Sequence, residues 1–359
     1  MKKSLLALAA MGAFVGTAQA QSSVTVYGVV DAGITTLTTD TTSTAGVKTS
    51  ATSTTTGNGG AYTSQRLGFR GSEDLGGGLK ANFVYEFGLV DNDITGTTDA
   101  NPGTDNPAPI ATRSATVGLS GTFGAIDIGR QTTIADKAWG VGDVGSGNNF
   151  IGRAYTSSVK LNNSRSDRLV NYTSPDLSGF KIQVAYGVRK EKETAAFTTS
   201  DEWTELGLGL AYSKGPLNVM FGMSKEEGKL NGANVASFRP VQNVLGANYD
   251  FKVAKVFATY AFASDKSATD AKINDKKVYE LGVAAPFGAT TVQASVFSGE
   301  NKSTTTATSE LKGMQLALLY ALSKRTTAYA AYGAEEVKTK NASDKVAKDT
   351  IGFGVRHTF

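Results

Sequence analysis

The chain has no cysteine, one histidine, two tryptophans and only 7 prolines among its 359 residues. Without cysteine there is no disulfide, no thiolate nucleophile and no thiolate-held metal. A single histidine, His357, leaves no base to pair with a serine and no second imidazole for a zinc site. No GxSxG, HExxH or CxxC spacing occurs, so hydrolase and metalloenzyme chemistry has no visible carrier. Long apolar runs are equally scarce. The mean hydropathy is −0.17, and no segment approaches the about 20 apolar residues that a spanning helix needs. An excess of one charge is missing too: the net charge is +4, Lys2 and Lys3 supply two of those charges, and both signs are interspersed elsewhere. No nucleic-acid partner is indicated, and no cofactor is implied.

What is present begins with an export signal. Lys2 and Lys3 precede an apolar run from Leu5 to Val15 and the small-residue tripeptide Ala18-Gln19-Ala20. This pattern predicts a cleaved signal over residues 1–20 and one mature domain over residues 21–359. Glycine is abundant, at 41 residues, and Thr, Val, Tyr and Phe recur throughout, a composition of strands and turns.

Along the mature chain, segments of about ten residues alternate apolar with polar or small residues. Sixteen such segments can be counted, the first over 24–36, the second over Ser64–Gly71 and the third over Leu79–Val90. Short connections rich in Gly, Pro and Asp, such as SEDLGGG, GTFG, SPDLSG and APFGA, alternate with long polar ones, such as the Thr-rich stretch after the first strand and NKSTTTATSE from Asn301. An even number of short strands, with tight turns at one end and long loops at the other, predicts an all-β, sixteen-stranded antiparallel transmembrane β-barrel with short periplasmic turns and long extracellular loops. Closure pairs every backbone group, as hydrocarbon demands.

The parity is plainest where Ile351, Phe353, Val355, His357 and Phe359 alternate with Gly352, Gly354, Arg356 and Thr358. Phe180, Ile182, Val184, Tyr186 and Val188 likewise alternate with Lys181, Gln183, Ala185, Gly187 and Arg189. The apolar sets face lipid, because a cation at the bilayer midplane costs about 2–4 kcal/mol. Lys181 and Arg189 therefore point into water. A soluble sandwich fits less well, since Arg, Lys, Asp and Gly cannot fill a dry core.

Several blocks resemble the Gram-negative general porins, and within them the β-proteobacterial branch: VTVYGVVDAGI (Val24 to Ile34), QRLGFRGSEDLGGGLKANFVYEFG (Gln65 to Gly88), RSATVGLSGTFGAIDIGRQ (Arg113 to Gln131), VNYTSPDLSGF (Val170 to Phe180) and the closing GVRHTF. The resemblance spans the mature chain. It implies a homotrimer in the outer membrane, among lipid and lipopolysaccharide, whose third loop folds inward to narrow a channel for small polar solutes and inorganic ions. It also implies that Phe359 is read by the barrel-assembly machinery.

The same resemblance places Arg66 and Arg113 at the positions of the wall arginines of the constriction, Arg165 at a third, and Glu86 at an inward wall carboxylate. The segment from Thr132 to about Asn163, holding Trp139 and the run VGDVGSGNNFIG, stands where the third loop stands, with Asp136 and Asp143 as its acidic candidates. It lacks the Pro-Glu-Phe-Gly run of enteric porins, and Val29 stands where some porins carry an inward Lys. More wall arginines than loop acids predict a mild anion preference.

Further lining candidates are Tyr27, Asp31, Arg70, Arg130, Arg168 and Lys181. Arg70 and Arg130 read alternatively as members of wall ion pairs, Arg70 with Glu86 or Glu73. Tyr27 and Asp31 share the inward parity of the first strand and are expected to hold the third loop by hydrogen bonds. Three rivals are weighed against the pore: a barrel enzyme, which lacks its residues; a sugar-specific channel, which lacks an inward aromatic track; and an adhesin acting through Thr-rich loops.

Overall fold

The computed structural model describes residues 23–57, 62–89, 110–145, 164–192, 200–230, 233–234, 241–266, 272–304 and 307–359. The expected signal and the rest of the third loop, 146–163, lie outside the described residues. The described strands are β1 (Ser23–Thr42), β2 (Lys48–Gly57), β3 (Arg66–Gly76), β4 (Leu79–Leu89), β5 (Ile110–Gly121), β6 (Gly124–Thr132), β7 (Arg165–Thr173), β8 (Phe180–Lys192) and β9 (Ser200–Lys214). They continue with β10 (Leu217–Leu230), β11 (Ala233–Asn234), β12 (Val241–Asp250), β13 (Lys255–Lys266), β14 (Lys272–Phe287), β15 (Thr290–Ser303), β16 (Ser309–Ala321), β17 (Thr326–Thr339) and β18 (Lys345–Thr358). One helix, α1 (Ile134–Gly142), follows β6.

Every ladder is antiparallel, and the sheet closes because β1 pairs with β18 from Val29↔Thr358 to Thr42↔Lys345 and with β3 from Ser23↔Ser72 to Val29↔Arg66. Strands β2 and β11 extend hairpins at the loop end, so sixteen of the eighteen strands are staves of a closed barrel. Among the described residues each stave has a ladder on both sides, so the wall has no free edge strand.

The lipid face follows the alternation. Phe180, Ile182, Val184 and Tyr186 are exposed, as are Ile351, Phe353 and Val355, while Ala185, Gly187 and Gly352 between them are buried. Lys181 lies on the inner parity and is exposed. Aromatic pairs such as Phe180–Tyr212 (ring centroids 4.6 Å apart) and Tyr249–Phe251 (4.5 Å) stand near the tight turns, and Tyr260–Tyr279 (4.8 Å) further up the wall. Amphipathic rings at both levels mark the two interfaces of an apolar band.

Two features differ from the reading of the sequence. The first strand does not end at Thr36 but runs to Thr42 and turns into β2, within the Thr-rich stretch expected to be a solvated loop. Threonine is β-branched and its hydroxyls pair across the hairpin, Thr36 with Thr54 at 3.0 Å and Thr38 with Thr52 at 3.1 Å, which favours a ladder over a coil. The third loop opens with a helix: Thr133 caps it, accepting from the Asp136 N–H at 3.4 Å, in the T-x-x-D arrangement that starts helices.

The interior core lies between α1 and one side of the wall. Ile134, Ala135, Ala138 and Trp139 form one helical face and pack with Ala185, Met220, Val244 and Ala261. Burying Ile134 alone is worth about 1.5–3 kcal/mol. The seat is made of glycine: a Cβ on Gly222 would collide with the Ile134 carbonyl, and one on Gly246 with that of Ala138. Close backbone approach is thus paid for in the wall sequence. Polar bonds fix both ends of the helix, the Ala135 N–H donating to Ser224 Oγ (3.2 Å) and Asn248 Nδ2 to the Val141 carbonyl (2.7 Å).

Candidate pore constriction

Four arginines gather on the inner wall formed by β18, β1, β3, β4 and β5. Strand β3 sends Arg66, Gly68 and Arg70 inward, because Leu67 and Phe69 take the lipid parity. Glu86 comes from β4 and is the hub. Its Oε1 accepts from Arg113 Nε at 2.6 Å and its Oε2 from the Tyr27 hydroxyl at 3.1 Å. Both partners of the ion pair are mostly buried, with 18% and 14% of their side chains exposed. Gly68 leaves room for the Tyr27 ring, and the Arg70 guanidinium carbon stands 5.2 Å from that ring's centroid, a cation–π distance.

Arg113 reaches this cluster through a defect in the ladder. Val117 and Leu119 of β5 face lipid, and unbroken alternation would turn Arg113 the same way. The register shifts here, with Glu86 opposite Ser114 and Phe87 opposite Thr112, so Arg113 is the extra residue of a β-bulge. The bulge re-aims the side chain into the barrel.

Arg66 is within electrostatic range of Arg113, Glu86, Tyr27 and Arg356, and its Nε is buried with no hydrogen-bond partner. Asp31 of β1 is fully buried and Arg356 lies within its electrostatic range. Within this described cluster Arg66, Arg70, Arg113 and Arg356 face Glu86 and Asp31, so positive charge is in excess there.

Helix α1 packs on β9, β10, β12 and β13. Counted around the sixteen staves, that seat is seven to eight staves from the arginine wall, which puts the two on opposite sides of the lumen. Lys137 of α1 points at β6 and β8, with Asp127 as its charged neighbour and Gln183 Oε1 accepting from its Nζ at 3.5 Å. Burial pushes its ammonium below the usual lysine range, and Asp127 opposes that shift.

The structure distributes the other candidates differently from expectation. Asp143 does not offer a carboxylate to the lumen. It is fully buried at the C-cap of α1, its N–H donating to the Trp139 carbonyl (3.1 Å) and its Oδ1 accepting from the Gly145 N–H (2.9 Å), the local turn that a short acidic side chain makes with the backbone two residues on. Asp136 is half-buried in the first turn. Asp31 does not hold the third loop but the first, accepting from the N–H groups of Tyr62 and Thr63. Arg130 bonds the Thr112 carbonyl (2.7 Å) and Asp167 (2.7 Å), which is the wall ion pair.

Arg165 donates to Ser164 Oγ at 3.3 Å and lines a separate cavity of about 360 Å³ with Arg130, Trp203, Glu205 and Glu226. Arg168 is exposed and sits at φ 59°, in the irregular stretch where Gly129 opposes Leu169 and Gln131 opposes Ser166. The side chain of Arg189 is outside the described residues. Arg356 was not singled out from the sequence, although its place on the glycine side of the last strand was the available signal.

A closed transmembrane barrel with a polar, charged lumen narrowed by an inward helix is an outer-membrane channel. The chain matches the Gram-negative porin family over residues 7–340. It is 31% identical to an outer membrane porin protein of Bordetella pertussis over the whole of both chains. Against outer membrane porin protein 32 of Delftia acidovorans it is 34% identical, over 80% of this chain and 77% of the other. Its structure superposes on the anion-selective porin from Comamonas acidovorans with a TM-score of 0.70 at 24% identity, covering 94% of this chain and 100% of that one. The chain belongs to the Gram-negative porin family and is a multi-pass β-barrel of the outer membrane, not an enzyme.

Proposed function

We propose that the protein is a water-filled channel for passive diffusion of small hydrophilic solutes and ions, mildly anion-selective through Arg66, Arg113 and Glu86 at its constriction. One observation carries this reading: the described cluster facing α1 gathers four arginines around Glu86 and Asp31, and the Nε of Arg66 is unpartnered. Two unit charges 4 Å apart interact by about 4 kcal/mol at an effective dielectric of 20, so this excess favours an anion in the lumen. The Comamonas relative is itself described as anion-selective.

The wider reading comprises a cleaved signal over 1–20, a mature domain over 21–359, and a homotrimer surrounded by lipid and lipopolysaccharide. Phe359 serves in it as the assembly signal. The Phe359 ring lies over Gly28 of β1, whose N–H donates to the Phe359 carbonyl at 3.1 Å, which supports a part for this residue in barrel closure. Asp136 remains the acidic candidate on α1 and Arg165 the third constriction arginine, while Arg70, Arg168 and Lys181 remain lower-ranked lining residues.

The test is single-channel recording of the mature protein in a planar bilayer under a KCl gradient. Steps in groups of three and an anion-side reversal potential, reduced in Arg66→Gln and Arg113→Gln, support the proposal. A cation-side reversal potential in the unmodified protein removes the selectivity, and folded protein without channels removes the pore.

A further inference from the structure

The wall of the barrel is interrupted beside Val30, Asp31 and Ala32. Below them β1 pairs with β3, ending at Val29↔Arg66; above them it pairs with β2, beginning at Gly33↔Gly57. Residues 62–65, the described part of the chain between these ladders, belong to neither. They turn into the barrel. Tyr62 is 1% exposed and packs with Ala317, Tyr329, Ala331 and Leu319, which lie on the inner faces of β16 and β17.

This strap is held to the wall by several hydrogen bonds. The Tyr62 and Thr63 N–H groups donate to Asp31 Oδ2 at 3.2 and 2.7 Å, while the Tyr329 hydroxyl donates to Asp31 Oδ1 at 2.6 Å. The Tyr62 hydroxyl donates to Gln293 Oε1 at 2.5 Å, and its ring lies 5.1 Å from that of Tyr329. At the far end the Gln65 carbonyl accepts from the Leu89 N–H at 3.1 Å, returning the chain to the wall. A carboxylate that accepts two backbone bonds and one phenol has both of its oxygens engaged.

The strap in turn grips an arginine. The Arg356 guanidinium carbon stands 5.5 Å from the Tyr62 ring centroid, and its Nη1 donates to Thr63 Oγ1 at 3.3 Å. Thr63 and Ser64 keep part of their surface open. Arg356 is thereby fixed beside Arg66, on a side of the lumen that α1 does not touch.

We infer that residues 62–65 of the first loop are a second, fixed constriction element, and that Arg356, positioned by Tyr62 and Thr63, is a specificity-determining cation for the permeating anion. Asp31 is the positioning residue that latches the strap. The inference rests on the diffusion-pore reading above.

The absence of cysteine makes the test clean. Thr63→Cys, in the full mature chain in a planar bilayer, is exposed to an anionic and a cationic methanethiosulfonate reagent; both are expected to react and lower the conductance, the anionic one faster. Tyr62→Ala is expected to raise the conductance roughly 1.5-fold, and Arg356→Gln to move the reversal potential toward cations with little change in conductance. An inert Thr63→Cys in channels that conduct normally overturns the strap as a lumen element. A wild-type reversal potential in Arg356→Gln, when Arg66→Gln shifts it, overturns the role of Arg356 and leaves the pore reading standing. Loss of the pore reading itself is seen separately, as absence of channels from the unmodified protein.

Discussion

Arg113 donates to Glu86 across 2.6 Å from a strand position whose plain alternation points to lipid. The ion pair and the bulge are one feature, since the bulge turns the guanidinium inward and the carboxylate gives it a partner there. Removing the carboxylate strands a half-buried cation, and a hydrogen bond to a charged group is worth about 1.5–3 kcal/mol. Glu86→Gln is therefore expected to lower the unfolding free energy in detergent by about that amount, and to strengthen anion preference because the carboxylate at the centre of the arginine cluster is gone. Denaturant titration and the reversal potential under a KCl gradient read the two effects.

Asp143 and Arg66 make a matched contrast. Asp143→Ala keeps the backbone bond to the Trp139 carbonyl but removes the Oδ1 that accepts from the Gly145 N–H, which is expected to cost about 0.5–1.5 kcal/mol, the range for a lost hydrogen bond. It leaves the reversal potential where it was, because a fully buried carboxylate bonded to Gly145 does not face the permeating ion. A shift as large as that of Arg66→Gln would return Asp143 to the lumen.

The glycine seat makes a steric prediction. Gly246→Val places a side chain against the Ala138 carbonyl, and overpacking of this kind costs about 1–3 kcal/mol. The barrel ladder is untouched, so the helix rather than the wall should yield. Larger conductance, with faster proteolysis between Thr133 and Gly145 in folded protein, is the expected result; unchanged conductance contradicts the seat.

The lipid face can be probed at one strand. Val184→Lys puts a cation on the outer face of β8, where about 2–4 kcal/mol is lost near the midplane, whereas Lys181→Gln on the exposed inner parity of the same strand is expected to cost under about 1 kcal/mol, as ordinary solvent-side substitutions do. Equal losses in the two variants would refute the assigned parity.

The barrel was legible in the sequence because its physics is periodic. Each stave repeats the same choice between lipid and water, so Ile182 and Phe353 reveal their side without knowledge of any neighbour. The constriction was only partly legible, because it is built where the period breaks. Arg113 needs an extra residue in one strand, and no property of β5 alone states that β4 lacks it. Helix α1 is nine residues long with a capping pattern of two residues, too little to stand out beside a glycine run. Asp31 reads as an inward acid, but its true partners, Tyr62 and Thr63, are about 30 positions away in a loop with no periodicity. Arg356 lay in plain view on the inner parity and carried no local mark of its role.

The glycines that receive α1 also set a schedule. Gly207, Gly209, Gly222 and Gly246, the residues against which Ile134 and Ala138 pack, all come after the helix in the chain. The plug is synthesised before its socket exists. The helix therefore has no seat until β9, β10 and β12 stand beside one another in the wall.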